Sequence, residues 1–90
     1  MYELKRSDKL IKILNRLLKK DKVRYEATLN KIKEIMNNPS LDHYKNLSNS
    51  MKEFKRVHID SHFVLIFKVN HSNKEIRFED LQHHDDIYGR

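Results

Sequence analysis

The 90-residue sequence predicts an α+β fold with the element order β-α-α-β-β-β, in which an N-terminal helical hairpin packs on an antiparallel sheet. Two observations predict it. Apolar residues recur at helical spacing as far as Met36, whereas the second half holds short apolar or alternating segments separated by turn residues. A chain of this length is expected to form one domain, residues 1–90.

The first helix is predicted to follow a short edge strand within residues 1–6. Either Ser7 or Asp8 is a suitable N-cap, and leucines and isoleucines then recur three or four positions apart. We therefore expect this helix to run to about Lys20.

The second helix is predicted to begin after Asp21, whose side chain can cap it. The Asn-Asn-Pro-Ser stretch at 37–40 ends it. So short a link between the helices predicts antiparallel packing. The expected apolar face comprises Tyr25, Leu29, Ile32 and Met36, with Ile35 at its edge.

The sheet is predicted from three segments that follow a loop at 40–51. Residues 52–59 mix polar and apolar side chains, 63–67 are continuously apolar, and 75–81 alternate. A continuously apolar strand is typical of a central position covered on both faces. Consecutive strands with short turns pair antiparallel, so one face should pack on the helices and the other should meet solvent or a ligand.

The positive charge lies entirely in the helical half. Residues 1–40 hold 11 Lys/Arg against 5 Asp/Glu, an excess of +6, whereas residues 41–90 hold 8 of each. A one-sided positive field attracts nucleic acid, an acidic protein or an anionic membrane, although a solvated lysine-rich surface explains the charge equally well. The cations that share one face of the first helix or extend it, and that suit phosphate contacts, are Lys9, Lys12, Arg16, Lys19 and Lys20.

Several classes of site are not expected. The absence of cysteine excludes disulfides, cysteine nucleophiles and thiolate metal sites. His58 and His62 stand four apart, but in a strand-turn-strand segment without a third ligand, so no metal or other cofactor is predicted. The first residues lack a signal-peptide core, and no apolar run approaches the ~20 residues that span a bilayer. We expect a soluble, cytoplasmic protein without a membrane partner.

The histidines are concentrated in the second half. All six follow residue 40, and His84 stands between Arg77 and Tyr88. A histidine can transfer a proton near neutral pH, an arginine can hold a phosphate, and a tyrosine can stack on a base. These groups suit metal-independent RNA cleavage, which needs a base for the 2′-OH, cations for the transition state and an acid for the 5′-oxygen. Alternatively, they are surface polar residues of a small basic protein.

The C-terminal pattern Arg77-Phe-Glu, four residues, His84, three residues, Tyr88-Gly resembles the motif of RelE/YafQ-type toxins in their YafQ branch. Residues 54–59 and 64–67 resemble the middle hairpin of that branch, and the likeness covers nearly the whole chain. It implies a ribosome-dependent mRNA endonuclease that cuts A-site codons. It also implies neutralisation by an acidic, RelB-like antitoxin in a toxin–antitoxin hetero-oligomer.

The resemblance also implies roles for individual residues. His84 matches the general acid, Tyr88 the aromatic group that stacks on the mRNA base, and His58 a histidine of base catalysis or orientation. Arg56 and Arg77 match positions where basic groups bind or stabilise phosphate. Lys52 and Lys55 are further expected RNA contacts. The chain departs from the branch at His62, where the branch has aspartate, and at Lys45, where it has histidine. The general base is therefore Lys45, His58 or His62.

Two other functions remain open on the same scaffold. One is a non-enzymatic gyrase poison like the ParE toxins, which lack the His/Arg/Tyr set. The other is an RNA- or ribosome-binding module whose histidines are structural. In a ribosome-dependent toxin, the basic helix face would provide sequence-independent affinity for ribosomal RNA.

Overall fold

The computed structural model of the chain describes residues 1–38, 40, 41, 44, 46 and 53–85. Two helices and four strands lie within these residues, and the mixed α+β class is confirmed. The elements in chain order are β1 (Glu3–Arg6), α1 (Asp8–Lys20), α2 (Lys22–Met36), β2 (Lys55–His58), β3 (Phe63–Asn70) and β4 (Glu75–His83). Neither helix in this part of the chain has the length and apolar character needed to cross a bilayer.

The strands form one sheet in the order β1-β4-β3-β2. β3 pairs antiparallel with both β2 and β4, whereas β1 pairs parallel with β4. The prediction of an antiparallel sheet is therefore wrong at this edge. The turn-based reasoning applied only to consecutive strands, whereas β1 meets β4 through a connection that contains both helices, as parallel pairs require.

Helix α1 begins where the sequence indicates. Ser7 has an extended backbone, and its Oγ accepts a hydrogen bond from the Leu10 amide at 3.0 Å. The acidic Asp8 lies in the first turn and two lysines lie in the last, so both ends complement the helix dipole. Leu10 and Leu14 are buried against the sheet.

Asp21 alone joins the two helices. Its backbone N–H donates to the Leu17 carbonyl at 2.8 Å and ends α1, while its carboxylate accepts from the Arg24 amide at 3.2 Å and caps α2. The buried face of α2 is rotated slightly from the predicted one. Thr28 and Ile35 are fully buried and Ile32 is buried, whereas Tyr25, Leu29 and Met36 are only partly buried. Thr28 tolerates burial because its hydroxyl donates to the Arg24 carbonyl at 2.8 Å.

The core lies between the helices and one face of the sheet. β3 and β4 are both longer than the apolar segments at 63–67 and 75–81, and β2 is shorter than 52–59. Val64 to Phe67 are all buried, as expected for a central strand. The residues that the sheet contributes to the core cluster are Leu65, Phe67, Ile76, Phe78 and Leu81, which meet Leu10, Leu14, Ile32 and Ile35 of the helices.

A β-bulge interrupts β4. Phe67 is opposite Phe78, but the next residue along β3, Ile66, is opposite Asp80, so Glu79 is the extra residue. The start of α1 is attached here, because the Ser7 amide donates to the Phe78 carbonyl at 2.9 Å and its Oγ donates to the Glu79 carbonyl at 2.5 Å. Ser7 thus connects the helix cap to the irregular point of the sheet.

Ser7→Ala removes both the cap acceptor and the hydroxyl that reaches Glu79. We expect the free energy of unfolding, measured by urea denaturation, to fall by about 1–2 kcal/mol. The exposed Ser72, in the turn after β3, provides the control, and Ser72→Ala should change stability by less than about 0.5 kcal/mol. Equal effects of the two substitutions would contradict the role given to Ser7.

Candidate functional site

The face of the sheet opposite the core, here called the open face, carries most of the predicted site. Successive side chains of a strand alternate between faces, so packing of Val57 and Leu65 on the core turns their neighbours outward. The register places two rows across this face. One row is His58, Val64 and Gln82, and the other is Arg56, Ile66 and Asp80.

His58 and His84 form a pair at the end of the open face. Their ring centroids are 5.4 Å apart and their planes are inclined by 31°. His58 is the last residue of β2 and is exposed, whereas His84 directly follows β4 and is partly buried. Two imidazoles this close can contact the same small group, one accepting a proton and the other donating one.

A second histidine pair lies on the other side of the same end. The His62 and His83 rings are 6.0 Å apart and nearly perpendicular, and His83 also packs edge-on against Phe63, which contacts the core. The imidazole of His62 is hydrogen-bonded to the Ser61 hydroxyl at 2.8 Å. The structure therefore groups His58, and not His62, with the His84 imidazole.

The turn between β2 and β3 is organised by Asp60. Its Oδ1 accepts hydrogen bonds from the amides of His62 and Phe63 at 2.8 and 2.9 Å, and its Oδ2 accepts from Arg24 Nε at 3.3 Å. Burial alone would raise the pKa of Asp60, but the two amides and the Arg24 guanidinium outweigh it and lower this pKa below its ordinary value. The carboxylate is thus favoured in the folded protein.

The two arginines of the predicted site are separated on the open face. Arg56 lies two residues before His58 on the same strand, a spacing of about 7 Å. Arg77 is opposite Lys68 on β3, whereas His58 is opposite Val64. These two β3 positions are four residues apart, so Arg77 and His58 are separated by about 13 Å along the strand direction. The Arg77 Nε atom forms an ion pair with Glu79 at 2.9 Å. Arg56 is therefore the arginine nearer to the histidine pair.

The basic face of α1 begins beside the open face. Lys9 Nζ lies 3.0 Å from Asp80 Oδ2, and the Gln82 side-chain amide donates to the same oxygen. Asp80 is only 8% exposed, so Lys9 compensates a buried carboxylate while remaining accessible. The other predicted cations of the helix, Lys12, Arg16, Lys19 and Lys20, are exposed.

Lys55 points away from the histidine pair. Its ammonium group donates to the Tyr44 carbonyl at 3.2 Å and to Asn46 Oδ1 at 3.1 Å, on the core side of β2. The expected RNA contact at Lys55 therefore has protein partners competing for it. Three other predicted site residues, Lys45, Lys52 and Tyr88, lie outside the described residues.

Sequence patterns did not indicate the groups that support the site. Asp60, Arg24 and Asp80 are common surface residue types, and the ion pairs Arg24–Asp60 and Lys9–Asp80 join residues that lie far apart in the sequence. The only local sign was the Asp-Ser pair at 60–61, which is typical of a turn. Among the described residues, no group of three or more His, Asp or Glu side chains is arranged to hold a metal ion.

The chain is similar to known toxins. No family model matches it. A protein of Methanocaldococcus jannaschii named "Putative toxin RelE4" is 50% identical over 88 residues, which cover 98% of this chain and 92% of that protein. Similarity at this level and over this length extends to the whole fold.

Solved toxin structures share this fold at low sequence identity. A YoeB/ParE toxin from Agrobacterium tumefaciens has a TM-score of 0.78 at 15% identity, covering 93% of this chain and 99% of that one. YafQ from E. coli has a TM-score of 0.68 at 22% identity, with coverage of 99% and 100%. The archaeal RelE–RelB complex from Pyrococcus horikoshii has a TM-score of 0.67 at 19% identity, with coverage of 91% and 93%.

Asp60→Asn tests the charge on the β2–β3 turn. A carboxylate whose folded pKa is depressed stabilises the protein above its unfolded pKa of about 3.9, and this contribution is lost as pH falls through the folded value. We expect the wild type to exceed the variant in free energy of unfolding by a constant amount above about pH 5, and by progressively less below about pH 4. A difference that persists unchanged in acid would show that the ionised form contributes nothing.

Proposed function

This chain belongs to the RelE family of toxins, and we propose that it is a ribosome-dependent endoribonuclease that cleaves mRNA codons in the A site. The observation that carries the proposal is the His58–His84 pair, whose rings lie 5.4 Å apart on the open face. The whole chain, residues 1–90, is taken as one RelE-like toxin domain. Placement in the cytoplasm follows from the same proposal, since ribosomes are the site of action.

The proposed reaction is an internal transfer at phosphorus. The ribose 2′-oxygen loses its proton to a base and bonds to the adjacent phosphorus, while the bond from phosphorus to the 5′-oxygen breaks. An acid protonates the departing 5′-oxygen, which leaves a 2′,3′-cyclic phosphate and a 5′-hydroxyl. His84 is the proposed acid. Among Lys45, His58 and His62, the contact with His84 supports His58 as the base.

Cations and an aromatic group complete the proposed site. Arg56 is near enough to the histidine pair to stabilise the charge that builds on the phosphate oxygens. Arg77, farther along the open face, is suited to a neighbouring phosphate, and Tyr88 to stacking on a base. The ribosome would supply the geometry of the bound mRNA.

The basic face of α1 is the proposed contact with ribosomal RNA. Its cations are exposed and extend from the edge of the open face, so one orientation could place α1 on ribosomal RNA and the histidines on mRNA. The similar RelE of Pyrococcus horikoshii was solved as a complex with RelB. We infer an acidic, RelB-like antitoxin for this chain, which would form a hetero-oligomer with the toxin and compete for its cations.

His84→Ala should abolish most of the activity. Loss of a general acid slows such reactions by about 100- to 10,000-fold, measured as cleavage of mRNA on programmed ribosomes. His71→Ala is the matched control, because His71 is exposed at the other end of β3, where it contacts Tyr2. Wild-type cleavage by a folded His84→Ala variant would exclude His84 as the acid.

Intact mRNA with wild-type protein, together with blocked DNA supercoiling, would favour a gyrase poison.

Replacing Lys12, Arg16 and Lys19 together by glutamine should weaken ribosome binding and make it less dependent on salt. Each lost phosphate contact reduces the magnitude of the negative slope of log K against log salt by about 0.7–0.9. The slope of the triple variant should therefore be shallower by about 2–3. Lys33→Gln, an exposed change on α2, serves as the control. An unchanged slope in the triple variant would remove α1 from the interface.

A further inference from the structure

The β2–β3 turn, residues 59–62, is attached to both histidines of the pair. His58 immediately precedes it, and the His62 carbonyl accepts a hydrogen bond from the His84 amide at 2.6 Å. The backbone of His84 is therefore attached to the turn. Any displacement of the turn would move both imidazoles of the pair relative to each other.

The backbone of this turn is held in place by hydrogen bonds to the side chain of Asp60. The Asp60 carboxylate binds the amides of His62 and Phe63 through one oxygen, while the Ile59 amide donates to the Phe63 carbonyl at 2.9 Å. These three hydrogen bonds fix the peptide that presents the His62 carbonyl to His84. The side chain of Asp60 thus acts on His84 through one intervening residue.

Arg24 connects this turn to the helices. Its Nε donates to the second oxygen of Asp60 at 3.3 Å, its Nη1 pairs with Asp21, and its guanidinium lies 4.1 Å from the centroid of the Phe63 ring. Arg24 is only 26% exposed, so these contacts are partly shielded from water. A planar guanidinium can make all three contacts together, whereas a lysine ammonium cannot.

We propose that Arg24 and Asp60 are positioning residues, which hold the β2–β3 turn and, through the His62 carbonyl, set the orientation of His84 towards His58. The proposal rests on the proposed nuclease function only for its consequence on turnover. Neither residue needs to touch the RNA. They act from the core side of the sheet, near the junction of α1 and α2, and keep the histidine pair in one arrangement.

The test compares three variants with a control. Asp60→Ala removes every contact of the carboxylate, Asp60→Asn keeps an oxygen for the two amides but weakens the Arg24 contact, and Arg24→Gln removes the guanidinium. Lys33→Gln removes a positive charge from the exposed surface of the same helix. The NMR readouts are hydrogen exchange of the His84 amide and the nuclear Overhauser effect between the His58 and His84 rings.

We expect exchange of the His84 amide to accelerate about 3- to 10-fold in Asp60→Ala, because its single hydrogen bond to the His62 carbonyl opens more easily, and the ring–ring signal to weaken. Asp60→Asn should keep most of the protection of the His84 amide. The exchange rate in Arg24→Gln should lie between those of the two Asp60 variants. On ribosomes, kcat should decrease about 10- to 100-fold in Asp60→Ala with KM unchanged, because misplaced groups slow the chemical step. Lys33→Gln should match the wild type.

The outcomes separate the two proposals. If the wild type leaves ribosomal mRNA intact, the nuclease function fails, but the NMR readouts still decide the positioning role. If Asp60→Ala keeps both the protected His84 amide and the ring–ring signal, the positioning role is overturned whatever the activity. Should Asp60→Ala not fold, Arg24→Gln decides: behaviour identical to Lys33→Gln would overturn the role of Arg24.

Discussion

The pairing of β3 with β4 determines which side chains share the open face. Up to Phe78, the even-numbered residues of β4 point into the core. The extra residue Glu79 reverses this parity, so that Leu81 packs on the core while Gln82 and then His84 lie on the open side. Without the bulge, the chain would present His83 where His84 now meets His58. One inserted residue thus creates the histidine pair.

The bulge is stabilised by the start of the first helix. Ser7 caps α1 and also binds the carbonyl of Glu79, and Lys9, two residues later, pairs with the buried Asp80 just beyond the bulge. Asp80 also accepts hydrogen bonds from the Leu81 amide and the Gln82 side chain, and the added ion pair with Lys9 favours one placement of α1 against β4. The same contacts bring the start of the basic face of α1 to the edge of the open face. The proposed ribosome contact and the strand that leads to His84 are therefore attached to each other at the bulge.

Local patterns predicted the helices well, and non-local pairing explains what they missed. Ser7 and Asp21 cap their helices through residues three positions away, so their roles are visible in the sequence. The parallel pairing of β1 joins segments about 70 residues apart, and no local signal reports it. His58 and His84 were predicted through a family resemblance. Their contact, however, depends on strand register and on a bulge that the alternating pattern of 75–81 does not reveal.

The chemical identity of the RNA ends tests the central claim most directly. Histidine acid–base catalysis with attack by the 2′-OH predicts that ribosome-bound mRNA, incubated with the protein, yields upstream fragments ending in a 2′,3′-cyclic phosphate and downstream fragments with a 5′-hydroxyl. The same mRNA without ribosomes should stay intact. Fragments with 3′-hydroxyl and 5′-phosphate ends, or ribosome-bound mRNA that remains uncut, would contradict the account.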